Sequence, residues 1–110
     1  MSEHDLQSAI LSIAAVMPGV ELWRNNSGVM GPRRVRFGLH NSKRRTGSPD
    51  LVGCAHGRFV GLEVKRPGEA LTRAQEAFLG DIRAAGGIGE RVDSVQGAVE
   101  ALERAKESSA

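Results

Sequence analysis

The feature that most constrains the fold is a pair of strand-like segments separated by only three residues. The segments are Asp50 to Cys54 and Arg58 to Lys65, and Ala55-His56-Gly57 connects them. A short, glycine-containing connection of this kind favours an antiparallel hairpin. We therefore expect a β-sheet built around this hairpin, with the rest of the chain covering it.

Three helices are predicted from apolar periodicity and capping residues. The first spans residues 2–17 with Ser2 as its cap, the second spans residues 72–85, and the third follows Ser94 and ends near residue 106. Thr72 and Gln75 have the spacing of a capping box. Their inward faces are expected to be apolar: Leu6, Ile10, Ile13, Met17, Leu71, Ala74, Phe78, Ile82, Val95, Val99 and Leu102.

Further strands are predicted at residues 20–24 and 88–92, with an extended segment at 33–38 and a polar loop at 38–49. The order helix, three strands, helix, strand, helix (α-β-β-β-α-β-α) indicates an α/β fold with a small mixed sheet flanked by helices. A chain of 110 residues fits one domain, residues 1–110, with a frayed tail at 107–110.

Composition indicates the kind of cellular compartment that the protein suits. With Cys54 as its one cysteine, the chain has no intramolecular disulfide, which suits a reducing compartment. No apolar run approaches the roughly 20 residues that span a bilayer, and the N-terminus lacks the basic region of a signal peptide. We expect a soluble, cytoplasmic protein, in a bacterium or an infected bacterial cell.

The distribution of charge is more informative than the net value of +2. No acidic residue lies between Glu21 and Asp50, yet this stretch carries seven of the fifteen basic residues: Arg24, Arg33, Arg34, Arg36, Lys43, Arg44 and Arg45. Such a segment creates a local positive field that suits a polyphosphate partner, and DNA contact by these residues and Asn26 is predicted. A solvated loop, with Asn26 in a turn, is the alternative.

Three side chains are expected to converge at one end of the hairpin. Glu63 and Lys65 share a strand face because side chains alternate, and Asp50 begins the neighbouring strand. Two adjacent carboxylates repel each other unless a cation lies between them, and Mg²⁺ prefers such oxygen ligands. The Val64 carbonyl is a further candidate ligand, and Glu3 is expected to join through a water. A metal there would polarise a phosphoryl oxygen and activate a water.

Each of these residues also has an ordinary explanation. A Glu-x-Lys pair on a strand is commonly surface charge of little energetic value, and an Asp after proline is commonly a turn residue. Glu3 suits a helix N-terminus and Gln75 suits a cap. Trp23 offers base stacking, although in a strand beside Leu22 the more usual use is core or interface packing.

Five motifs follow one another along the chain: Glu3-x-x-x-Gln7, Trp23-Arg24-Asn25-Asn26-Ser27-Gly28, Gly47-Ser48-Pro49-Asp50-Leu51, Glu63-Val64-Lys65-Arg66-Pro67 and Leu71-Thr72-x-x-Gln75. In this order they resemble the virus-type replication–repair nuclease (VRR-NUC) domain, in its stand-alone, phage-type form. That domain belongs to the PD-(D/E)xK nuclease superfamily. The resemblance covers about residues 3–102.

The resemblance implies a Mg²⁺- or Mn²⁺-dependent endonuclease that hydrolyses DNA phosphodiesters in phage or bacterial replication and repair. It implies that Asp50 and Glu63 bind the metal, that Lys65 is catalytic, and that Glu3 and Gln75 support the site. Stand-alone members resemble Holliday-junction resolvases in fold, and some act as homodimers on branched DNA. The alternative is a non-catalytic nucleic-acid-binding module that uses the basic segment 24–45.

Overall fold

The predicted hairpin lies at the centre of the fold. In the computed structural model, which describes residues 1–25, 28–30, 35–37 and 47–107, the strands Leu51–Ala55 and Arg58–Val64 pair antiparallel through a two-residue turn at His56-Gly57. The elements in chain order are α1 (Glu3–Ala14), β1 (Val20–Arg24), β2 (Gly28–Met30), β3 (Val35–Phe37), β4 (Leu51–Ala55), β5 (Arg58–Val64), α2 (Arg73–Ala84), β6 (Ile88–Val92) and α3 (Val95–Arg104).

The main sheet has four strands in the order β1-β4-β5-β6. β1, β4 and β5 are antiparallel, whereas β6 pairs parallel to β5 because α2 carries the chain back to the same end of the sheet. This confirms the predicted α/β fold with a mixed sheet and flanking helices. β2 and β3 form a separate two-stranded ribbon. Its second strand falls in the predicted extended segment, whereas no strand was predicted at β2.

Hydroxyl caps fix the starts of all three helices as predicted. The Ser2 hydroxyl accepts from the Asp5 N–H at 3.0 Å, and the Ser94 hydroxyl accepts from the Gly97 N–H at 2.9 Å. Thr72 forms a complete capping box with its partner Gln75. These bonds satisfy N–H groups that have no partner inside a helix.

One face of the sheet carries most of the apolar core. α1 packs against β1, β5 and α3, and buried side chains from these elements and the sheet form one cluster. The buried stripe of α1 follows i, i+4, i+8 spacing through Leu6, Ile10 and Ala14, so Ile13 is 41% exposed and its predicted inward position is wrong. The helix is one turn shorter than predicted, which leaves Met17 outside it at the edge of the core.

The opposite face of the sheet is covered by α2, which packs on β5 and β6. Its buried side chains are Leu79 and Ile82, whereas the predicted Phe78 is only partly buried. The α2 backbone lies close to β6 at Gly89, where a Cβ would lie 2.5 Å from the Leu79 carbonyl oxygen. In α3 the buried residues are Ala98, Ala101 and Leu102, while Val95 and Val99 are only partly buried. The small residues suit the close packing of α1 on α3.

No helix within the described residues is both long enough and apolar enough to cross a bilayer.

Candidate active site

Three polar residues from neighbouring strands form one row across the sheet. Leu51 pairs with Leu62 in the β4–β5 ladder, so one residue further Asp50 lies opposite Glu63. On its other side, the Asn25 N–H donates to the Asp50 carbonyl at 2.9 Å and extends the β1–β4 ladder. Residues opposite each other in a sheet point to the same face. The register therefore brings Asp50 and Glu63 side by side on the face that α2 partly covers.

A main-chain N–H holds the Asp50 carboxylate beside β5. The Val64 N–H donates to Asp50 Oδ2 at 2.9 Å, while the next N–H, that of Lys65, donates to the Val92 carbonyl at 2.9 Å on the other side. Because the N–H and carbonyl of one strand residue point to the same side, the Val64 carbonyl also faces Asp50. The Val64 carbonyl, which was predicted as a metal ligand, thus lies on the edge of β5 that faces Asp50.

The segment before Asp50 is held by Asn25, a residue for which no role was predicted. The Asn25 side-chain amide donates to the Ser48 hydroxyl at 3.0 Å and to the Pro49 carbonyl at 2.9 Å. Ser48 and Pro49 are buried, and Gly61 leaves room for the proline ring, since a Cβ there would lie 2.8 Å from Pro49 Cγ. Asn25 was part of the Trp23-to-Gly28 motif but had no predicted role, and nothing local in the sequence indicates these contacts.

Gly47 joins the same segment to the start of α2. Its φ is +75°, and a Cβ at this position would lie 2.5 Å from the Ala74 carbonyl carbon and 2.6 Å from the Gln75 nitrogen. Only glycine adopts this backbone conformation readily and allows backbone to approach this closely. The Gly-Ser-Pro-Asp motif therefore packs closely against the start of α2 immediately before the chain enters β4.

Glu63 is the most buried charged residue of the site, with 4% of its surface exposed. Its Oε1 accepts from the Gln75 side-chain amide at 3.1 Å, whereas its buried Oε2 has no hydrogen-bond partner among the described residues. Burial raises the pKa of Glu63 to about 8, and the negative charge of Asp50 contributes to this rise. The Lys65 ammonium opposes the rise in pKa without cancelling it.

A second pair of carboxyl groups lies next to Lys65. Glu3, at the start of α1, shares a hydrogen bond with Glu69, which raises the pKa of Glu3. The pKa of Glu69 is lowered mainly because its Oε1 accepts a hydrogen bond from the Arg66 N–H at 3.0 Å, and secondly because of its hydrogen bond with Glu3. The Lys65 charge acts on both carboxyl groups. The structure thus brings Glu3 and Lys65 together as predicted members of one site, with Glu69 added.

The sequence does contain a pattern that indicates the position of Glu69, although no role was predicted for this residue. The Glu69 N–H donates to the Arg66 carbonyl at 3.0 Å, and Gly68 has a φ of +84°. Pro67 and Gly68 at the two central positions are the signature of a type II turn, which folds Glu69 back beside Arg66. The Arg91 guanidinium donates to the Glu69 carbonyl at 2.9 Å and to the Arg66 carbonyl at 3.0 Å, and so holds the turn.

Of the predicted DNA-contacting residues, Arg24 does not reach the carboxylates. Its neighbours Trp23 and Asn25 point to the face that carries Asp50 and Glu63, so Arg24 points to the other face. There its guanidinium donates to the Ser8 hydroxyl at 2.7 Å and to Gln7 Oε1 at 3.2 Å, which ties β1 to α1. Arg36 lies in β3. The others lie outside the described residues: Asn26, Arg33, Arg34, Lys43, Arg44 and Arg45.

The residues present fit a hard divalent cation. Glu63 Oε2 is buried without a hydrogen-bond partner among the described residues, and a second carboxylate lies beside it. A nearby positive charge would stabilise this arrangement, and a metal ion supplies such a charge. In the described part of the chain no three His, Cys, Asp or Glu side chains converge to hold a metal. Mg²⁺ needs no such cage, because it is commonly bound by one or two carboxylates and keeps several waters.

Comparisons with known proteins assign no family to the chain. A scan against protein-family models and searches of curated proteins and of solved structures all found no match. Membership of the VRR-NUC family therefore stays an expectation from the motifs. The geometry and charge of the site carry the functional argument.

Proposed function

We propose that the chain is a Mg²⁺- or Mn²⁺-dependent endodeoxyribonuclease of the PD-(D/E)xK type, close to the VRR-NUC domain. One observation supports this most directly. Glu63 Oε2 is buried with no hydrogen-bond donor among the described residues, beside the Asp50 carboxylate and on the strand face of Lys65. Retaining an unsatisfied buried carboxylate costs stability. Binding a cation explains why the fold keeps it.

The residues of the site have different proposed roles. Asp50 and Glu63 would hold the ion, with the Val64 carbonyl available as a third oxygen ligand. Such an ion supplies Lewis-acid polarisation of the phosphodiester and lowers the pKa of the attacking water. The Lys65 ammonium orients that water and offsets the charge that develops on the phosphoryl oxygens.

Two further residues support this arrangement without touching the reacting phosphate. Gln75 fixes the Glu63 carboxylate by donating to its Oε1 at 3.1 Å. Glu3 lies within electrostatic reach of Lys65 and Asp50, from where it would support the site through a water molecule.

The DNA substrate is proposed to be branched, such as a Holliday junction, in phage or bacterial replication or repair. A homodimer would present two active sites to two strands of a junction, and a symmetric interface would also bury more apolar surface for a chain of this size. Light scattering of the protein with and without a four-way junction measures the stoichiometry.

The function is tested by cleavage of supercoiled plasmid and a synthetic four-way junction in Mg²⁺, Mn²⁺ or EDTA. Asp50→Asn, Glu63→Gln and Lys65→Ala should each reduce cleavage by roughly 100-fold or more, while junction binding in EDTA persists. Matched surface controls are Glu100→Gln and Lys106→Ala, which remove an exposed carboxylate and an exposed ammonium away from the site. EDTA should abolish cleavage by the wild-type protein.

The same experiment decides between the nuclease and the non-catalytic binding module. Junction binding without cleavage in either metal would contradict the nuclease and support the module, with the basic segment as its contact surface. Full activity of the Asp50→Asn protein in Mg²⁺ would also contradict the proposed site. Mn²⁺ titration by calorimetry adds a test without DNA, since loss of either carboxylate should remove the binding heat.

A further inference from the structure

The sheet face beside the active site carries an exposed tryptophan. Trp23, the chain's single tryptophan, lies in β1 with 55% of its surface exposed. α2 packs on β5 and β6, which leaves the β1 side of this face uncovered by it. Core packing, the more usual use of a strand tryptophan, is therefore not the role of this residue.

Trp23 lies one step along the strands from the metal-binding carboxylates. It pairs with Val52, and Asp50 is two residues before Val52, so the two side chains share a face. Two residues along a strand span about 7 Å. A substrate phosphate bound at a cation that Asp50 and Glu63 hold would therefore place the adjoining nucleotide near the indole.

The next row along this face carries a negative charge. Glu21 pairs with Cys54, and both side chains are exposed two residues beyond Trp23 and Val52. A carboxylate at Glu21 repels phosphate groups. Contact beyond the scissile phosphate is therefore suited to an uncharged base and not to a further phosphate.

We propose that Trp23 stacks on the base that adjoins the scissile phosphate, and that the protein thereby selects DNA with an unpaired base at that position. The inference rests on the proposed nuclease function. An aromatic side chain stacks on any base whose face is free, but a base inside a duplex must first be unstacked at an energetic cost. Forks, flaps and junction centres offer such bases, and continuous duplex does not.

The indole itself is the probe of this contact. In EDTA, where no cleavage occurs, its fluorescence is followed while three labelled oligonucleotides of equal phosphate number are added: oligo(dT), an abasic strand and a blunt duplex. Labelled-strand anisotropy measures binding of each in parallel. Oligo(dT) should bind and quench, the abasic strand should bind without quenching, and the duplex should quench least.

Substitutions separate the stacking contact from general binding. Trp23→Ala should weaken oligo(dT) binding by roughly 5- to 150-fold, the range expected for one stacked base. Trp23→Phe should restore most of it. Phe59→Ala is the matched control, because Phe59 is also exposed, at 48%, but pairs with Cys54 in the row farther from the carboxylates. Its effect should stay within about twofold.

Cleavage gives an independent readout. On junctions that differ in one unpaired or paired base beside the cut, the wild-type protein should prefer the unpaired base by roughly fivefold or more in kcat/KM. Trp23→Ala should lose this preference, mainly through a higher KM for the junction with the unpaired base. Circular dichroism confirms that both Trp23 variants fold.

Each outcome bears on one proposal or the other. Quenching by oligo(dT) without cleavage would leave the base contact standing and overturn the nuclease. Cleavage with equal quenching by the abasic strand, or with Trp23→Ala unchanged, would overturn the stacking role alone. Emission that depends on protein concentration and not on DNA would show that a second copy of the chain covers Trp23, which also overturns it.

Discussion

The side-chain amide of Gln75 donates to Oε1 of Glu63 over 3.1 Å. The oxygen of the same amide accepts from the Thr72 N–H at 2.9 Å, and the Gln75 N–H donates back to the Thr72 hydroxyl at 3.1 Å. One residue therefore completes the N-terminal cap of α2 and holds the buried carboxylate. The position of α2 is coupled in this way to the geometry of the site.

The two roles of Gln75 can be separated by comparing Gln75→Ala with Thr72→Ala. Both changes break the capping box and should lower the free energy of unfolding by about 1 kcal/mol. Only Gln75→Ala also frees Glu63, so it alone should raise the Mn²⁺ concentration needed for half-maximal cleavage, by about tenfold or more. Urea unfolding and metal titration of cleavage measure the two effects. Equal metal requirements in the two variants would contradict the coupling.

The raised pKa of Glu63 predicts that the metal-free protein loses stability as pH rises. The pKa increases from an ordinary 4.5 to about 8 in the folded protein, so the folded state keeps a proton that the unfolded state releases. The contribution of this raised pKa to stability is complete below pH 4.5 and is lost between pH 4.5 and 8. After allowance for solvent screening, the loss is on the order of 2 to 3 kcal/mol.

Thermal unfolding in EDTA at about pH 5.5 and about pH 8 measures this loss. Glu63→Gln, which is neutral and similar in shape, should flatten the dependence, and Glu100→Gln, an exposed control, should leave it unchanged. Mg²⁺ or Mn²⁺ should raise the midpoint more at the higher pH than at the lower one, because a cation binds the ionised form. A wild-type midpoint equal at both pH values would rule out the burial of an acidic group here.

Local patterns in the sequence predicted the parts of this fold that depend on neighbouring residues. The caps at Ser2, Thr72 and Ser94 and the hairpin turn follow from a few adjacent residues each. The shared face of Glu63 and Lys65 follows from strand alternation alone. These elements were therefore predictable without knowledge of tertiary contacts.

The contacts of Asn25 and Glu69 could not be read in the same way. Asn25 follows β1 and resembles an ordinary turn residue. Its side-chain amide nevertheless donates hydrogen bonds to Ser48 and Pro49, which lie 23 and 24 positions later in the chain. Glu69 meets Glu3 only because α1 begins near the turn at Pro67-Gly68. The inward positions of α1 and α2 were partly wrong for a related reason, since helical spacing does not say which neighbour a stripe meets.

Asn25 is predicted to act on the rate of cleavage by positioning Asp50. Asn25→Ala removes the bonds to the Ser48 hydroxyl and the Pro49 carbonyl, which should cost about 1 to 2 kcal/mol of stability. The loosened Asp50 should lower kcat by about 10- to 100-fold, with little change in KM for DNA. Ser48→Ala, which removes one of the two bonds, should show a smaller loss of kcat. An increase in KM at constant kcat would instead indicate a DNA-binding role.

The close approach of Gly47 to α2 yields the last prediction. Gly47→Ala introduces a Cβ 2.5 Å from the backbone of Ala74, at a φ of +75°. Gly86, just beyond the other end of α2, has a φ of +93°, and a Cβ added there would meet nothing within 4 Å. Gly86→Ala should therefore cost only the backbone strain of about 1 to 2 kcal/mol.

Gly47→Ala should cost more, on the order of 3 kcal/mol or above, because backbone must also move to remove the clash. The movement separates α2 from β4, so cleavage should fall even below the unfolding transition, where the variant is folded. Gly86→Ala should keep its activity there. Urea unfolding and cleavage at low temperature measure both quantities. Equal destabilisation of the two variants would mean that the approach of Gly47 to α2 is looser than the structure shows.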